Sequence, residues 1–90
     1  MADEADPHAA SRKNYLAALA YEAQVRGLEC RPVGKEGGVL RIAAPSGRST
    51  MVVAVPSSPV AWSYLWGGGG VASVDNPSHA ADLIAASLGR

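Results

Sequence analysis

Val60-Ala61-Trp62-Ser63-Tyr64-Leu65-Trp66 alternates large side chains with smaller ones, and that alternation decides how the rest of the 90-residue chain is read. Successive side chains of a β-strand point to opposite faces. Trp62, Tyr64 and Trp66 therefore share one face of a strand, and Ala61, Ser63 and Leu65 share the other. Downstream, Gly67 to Gly70 reads as a flexible turn and Val71 to Val74 as a short returning strand. Upstream, Pro56-Ser57-Ser58-Pro59 is a rigid polar connector.

Before that connector, Ser49 to Val55 reads as a strand that is apolar on both faces from Met51 to Val55. Such a strand is expected at the centre of a sheet, covered by helices on one side and by something else on the other. Pro45-Ser46-Gly47-Arg48 is a turn, Val39 to Ala44 a strand, Gly34-Lys35-Glu36-Gly37-Gly38 another turn, and Leu28 to Val33 the first strand. Pro32 lacks an N–H to give a ladder, which places that first strand at an edge. Consecutive strands joined by short turns make an antiparallel meander.

A helix flanks the meander at each end. From Ser11 to Arg26 the residues favour helix, and Leu16, Leu19, Ala20 and Ala23 recur on one face with Tyr15 on its flank. Two starts are open: Asp6-Pro7 as N-cap and first helical residue, or Ser11 as a later cap. Gly27 and Leu28 fit a Schellman-type end. Asn76-Pro77 opens the last helix, whose stripe is Leu83, Ile84 and Leu88 with Ala80 and Ala81 at its start, and Gly89 ends it. The expected fold is a two-layer α+β domain of order α-β-β-β-β(-β)-α over residues 11–90. Residues 1–10, with three carboxylates, are expected to be a mobile acidic arm.

Ninety residues suffice for one core and not two. The chain is 48% hydrophobic, but much of that is alanine and Phe is absent. A thin core calls for a disulfide, a metal or a second chain. The lone Cys30 closes no internal bridge, which leaves association and makes a homodimer the expected state. Eight basic residues balance eight acidic ones, so no net field draws nucleic acid or anionic membranes. The acidic N-terminus is unlike a secretory signal and no apolar run reaches membrane-spanning length. A cytoplasmic protein is expected.

Motifs that carry chemistry are few. The four glycines lack both the helix start and the lysine of a phosphate-cradling loop, so they read as a hairpin turn. Ser78, His79 and Asp82 lie close in sequence, but a catalytic triad is defined by spatial hydrogen bonds and an oxyanion hole, and no nucleophile elbow is present. His79 reads as a solvated first-turn residue. His8 falls in the arm, and Cys30 has no partner at ligand spacing and reads as a structural thiol. No enzyme activity, metal or cofactor is expected.

The aromatic stripe supports two readings. In one, Trp62, Tyr64 and Trp66 lie under the helices and supply the bulk the alanine-rich helices lack. In the other, the helices cover Ala61 and Leu65 and the aromatics stand on the open sheet face as an interaction surface for a second copy or another protein or peptide. A pocket for a small molecule between strand 60–66 and the 67–70 turn is an alternative use. Base stacking of single-stranded nucleic acid is a third, with Arg31, Arg41 and Arg48 as flanking cations.

Ala61-Trp62-Ser63-Tyr64-Leu65-Trp66-Gly67, followed by an Asn-Pro helix start and Ile84-Ala85-Ala86-Ser87-Leu88, resembles small uncharacterised proteins of high-GC actinobacteria over the C-terminal half. That resemblance implies no activity for any residue. The element order is also similar to part of the type III secretion chaperone fold, whose dimers bind segments of partner proteins. These readings converge on a non-enzymatic interaction module, homodimeric, with Trp62, Tyr64 and Trp66 as its expected anchors.

Overall fold

In the computed structural model, which describes residues 8–89, every turn signal between residues 34 and 70 joins neighbouring antiparallel strands. Helix α1 (Ala9–Val25) leads into strands β1 (Glu29–Val33), β2 (Val39–Ala43), β3 (Ser49–Ser58), β4 (Ala61–Trp66) and β5 (Gly70–Ser73), and helix α2 (Pro77–Ser87) closes the chain. The sheet order is β1-β2-β3-β4-β5, so the fifth strand is present and β3 lies at the centre. The α+β meander read from the sequence is the fold of the protein. No described helix is long and apolar enough to cross a membrane.

Local chemistry sets the helix ends. The Leu28 N–H donates to the Ala23 carbonyl at 3.0 Å and the Gly27 N–H to that of Gln24 at 2.9 Å, the paired bonds of a Schellman end. Gly27 has φ +83°, where a side chain would be strained. At α2 the Asn76 carboxamide oxygen accepts from the His79 N–H at 3.0 Å and Pro77 occupies N1. Helix α1 departs from the expectation: His8 precedes it, no side chain caps it, and Ser11 is inside it. Its first helical residues, Ala9 and Ala10, fall within the expected arm. The Asp6-Pro7 start and residues 1–7 of the arm lie outside the described residues.

Both helices pack on one face of the sheet. Helix α1 lies over β1, β2 and β3, α2 lies along β5, and the two helices pack together. The core joins Leu16, Leu19 and Ala23 of α1 and Ala81, Ile84 and Ala85 of α2 to Leu40, Ile42, Val52, Ala54, Tyr64, Trp66 and Ala72 of the sheet. Arg26, at the end of α1, ties the helices. Its Nε donates to Asp82 Oδ1 at 2.7 Å, one guanidinium nitrogen to Ser78 Oγ at 2.8 Å, and the other to Glu22 Oε1 at 3.0 Å. The hydrogen bonds to Asp82 and then Glu22 raise the guanidinium's pKa further.

The end of β3 differs most from the sequence reading. Strand β3 runs on through Pro56 to Ser58, so most of the expected connector is strand. The pairing Ser58↔Ala61 gives way to Pro56↔Trp62, with a bulge between Pro56 and Ser58. An irregular register is where a proline without an N–H is tolerated in a strand.

Candidate functional site

The hairpin registers assign a face to each strand residue. Residues directly opposite share a face, so Ala54↔Tyr64↔Ala72 and Val52↔Trp66 put Tyr64 and Trp66 beside the core residues Ala54 and Val52. Tyr64 has 0% exposure and Trp66 9%. The Tyr64 hydroxyl donates to the Tyr15 carbonyl of α1 at 2.6 Å. Trp62 is half-buried under the start of α1, edge-on to His8 and tilted against Tyr15, with both ring centres 5.2 Å away.

These positions correct the expectation that Trp62, Tyr64 and Trp66 stand on the open face as anchors. They are packing residues beneath the helices. The bulge at Pro56–Ser58 is the physical reason. Continued unbroken, the Ser58↔Ala61 register would set Leu65 opposite Ala54 and turn the aromatics outward, because a one-residue slip exchanges the two faces of a strand.

What the open face presents instead is aliphatic. Val33↔Val39 and Val53↔Leu65↔Val71 form one row crossing all five strands, since Val39 and Val53 each sit one residue beyond the Leu40↔Val52 pair. Met51 and Val55 extend the row along β3. None of these side chains is buried: Leu65 is 37%, Met51 51% and Val71 59% exposed, and Val33, Val39, Val53 and Val55 are half-buried. Charge is confined to one corner. Arg31 and Arg41 are directly opposite each other there, with Glu29 on the same face of β1.

The face carries no aromatic side chain among the described residues. The alternation of β4 and the arginines at 31 and 41 were the sequence signals for this face. Arg41 between Leu40 and Ile42 marks the solvent side of β2, and counting through the 45–48 turn carries that assignment to Met51 and Val53.

The remaining candidates fall elsewhere. Ser78 and Asp82 both bind Arg26, and His79 is exposed, so the three do not form a relay. Cys30 is half-buried, its Sγ 3.7 Å from the Ala20 carbonyl oxygen, and burial pushes the thiol up, away from thiolate chemistry. No three His, Cys, Asp or Glu side chains among the described residues could hold a metal.

A cleft of about 370 Å³ does lie beside the glycine turn, lined by Trp66, Gly67 to Gly70, Val71, Leu83 and Ser87. Its polar side-chain atoms come from Trp66 and Ser87, beside the backbone of the four glycines. Another, of about 400 Å³, lies between α1 and the β1–β2 hairpin, with Leu16, Ala20, Pro32 and Leu40 on its walls and Lys13 and Glu36 at its rim. Comparison with protein-family models, curated proteins and solved structures finds no match to this chain.

Proposed function

We propose that the chain is a non-enzymatic protein-interaction module whose contact surface is the open aliphatic face of its sheet. The observation that carries this reading is the row Val33, Val39, Val53, Leu65 and Val71, with Met51 and Val55 beside it. It leaves a continuous apolar band on the side of the sheet away from both helices. Monomeric proteins seldom expose a contiguous apolar patch of this kind unless it meets another molecule. An antiparallel sheet with one wet face ordinarily alternates apolar and polar residues, and β3 does not, carrying Met51, Val53 and Val55 toward the open side.

Hydroxyl-radical footprinting of the full chain in a lysate of its source tests this. Val60, 94% exposed in the turn between β3 and β4, serves as internal reference. Met51 and Leu65 should be modified several-fold less in the lysate than their exposure relative to Val60 predicts. Modification of both in proportion to exposure would remove the basis for an interaction face.

A further inference from the structure

We infer that the occupant of the open face is a second copy of this chain, packed sheet to sheet about a two-fold axis running along β3 near Val53. The inference rests on the interaction-module reading and names its partner. Area is the first argument. Five strands about 4.8 Å apart, each lending about five residues at 3.3 Å, give a footprint on the order of 400 Å². Side-chain relief raises the accessible area buried by a pair to roughly 1,000–1,200 Å², the lower end of stable specific interfaces. One whole face of the sheet is therefore just enough for a symmetric contact.

Composition is the second. Homodimer contacts are more apolar than the surfaces of transient complexes. The band here is aliphatic across five strands, and its charges are confined to one corner. The third argument is the placement of that corner. An axis along β3 lays β1 of one copy over β5 of the other while keeping each row over its own equivalent. Aliphatic row then meets aliphatic row.

The Arg31–Arg41 end, one step along the strands, meets the end of the other copy where β4 and β5 turn through Gly67 to Gly69. Like charges directly opposite one another destabilise a sheet. Arg31 makes no ion pair among the described residues, and Arg41 donates only to Ser49 Oγ at 3.4 Å. The proposed packing keeps the arginines of the two copies apart and sets them over a turn whose carbonyls accept hydrogen bonds and whose glycines offer no side chain to clash. The outer strand β1, by contrast, carries Pro32, which discourages pairing through that edge.

Sedimentation equilibrium of the purified full chain, together with two substitutions, is the test. The wild-type protein should show the mass of two chains at tens of micromolar and dissociate on dilution. Val53→Lys brings two ammonium groups together near the axis and should raise the dissociation constant by roughly 100-fold, the scale of like charges forced into a contact. Tyr21→Lys, on the outer side of α1, should leave it unchanged. In a Cys30→Ala background, Val53→Cys should be joined to its mate by a short bismaleimide and Val60→Cys should not, which keeps the test valid should Val53→Lys fold poorly.

A dimer indifferent to Val53→Lys and uncrosslinked at Val53→Cys would place the contact at an edge or on the helices and overturn the inference. A wild-type monomer at all concentrations overturns it too. If Met51 and Leu65 are nonetheless shielded in the lysate, the face serves a different protein and only the second copy is lost. If they are not, the module reading fails as well.

Discussion

Tyr64 gathers the sheet and α1 around one hydroxyl. Its ring is fully buried and its O–H is given to the Tyr15 carbonyl at 2.6 Å. Burial, with a smaller contribution from Tyr15, pushes the phenol up to about 12, against 10 in the unfolded chain. A folded value above the unfolded one means that the contribution is complete below pH 10 and is lost as pH rises through 12. Its size is about 2 to 3 kcal/mol at most, from roughly 1.4 kcal/mol for each pH unit. Tyr64→Phe should cost about 0.5–1.5 kcal/mol at pH 7, the net value of one hydrogen bond, since the Tyr15 carbonyl keeps its helical donor. Between pH 10 and 12 the deficit should vanish or reverse, because the variant has no buried phenol to ionise. Urea titrations of both proteins from pH 7 to 12 read the difference free of the other tyrosines and lysines; parallel curves would show that Tyr64 ionisation is not coupled to folding. At this scale the sequence was legible where a residue acts on its own backbone neighbours, as Asn76 and Gly27 do. Tyr64 acts across 49 positions on Tyr15, and no local pattern encodes that contact.

Elements were more legible than their relations. The turn residues located four strands and left the fifth, β5, open, and alternation in β4 separated its two faces correctly, but alternation is silent about which face the helices cover. Parity can be carried from Arg41 through the tight 45–48 turn to β3, because that hairpin keeps its register. It cannot be carried through Pro56 to Pro59, where one extra residue in the bulge exchanges inside for outside. This is why the stripe at Trp62, Tyr64 and Trp66 was open to both a core and a surface reading; the fold buries Tyr64 and Trp66 in the core and packs the half-buried Trp62 against it. The next hairpin shows what that inward turn requires. Trp66 pairs with Gly70, and its indole lies across the glycine so closely that a Cβ at position 70 would overlap the Cε2, Nε1 and Cδ2 atoms of the ring. The glycine run is therefore not uniform flexible filler: its last member is the floor on which Trp66 rests. Gly70→Ala should force Trp66 from its rotamer and cost about 1 to 3 kcal/mol, the usual cost of overpacking a core. Denaturant melts should show that loss with a red-shifted Trp emission. A Gly70→Ala protein of wild-type stability and spectrum would mean that the Trp66–Gly70 stacking constrains neither.

For the whole molecule, composition bounded the answer without describing it. Balanced charge, ninety residues and an alanine-rich apolar fraction pointed to one small domain with a thin core, and the fold has two layers where the both-sided apolarity of β3 calls for three. The uncovered band became visible only once both helices were known to land on the same side, a fact that depends on chain path and not on any segment. If a second copy supplies the third layer, association is linked to folding and stability must follow concentration. Each tenfold rise in protein concentration then adds about 1.4 kcal/mol per dimer, and for the combined length of two chains this lifts the midpoint by roughly 3–5 °C. Calorimetric scans from ten micromolar to one millimolar should show that slope in the wild-type protein and lose it in Val53→Lys. A midpoint that stays fixed over this range would make the two-layer monomer stable by itself, with core packing between the helices and the aromatic face of β4 sufficient to hold the sheet while its other side stays wet.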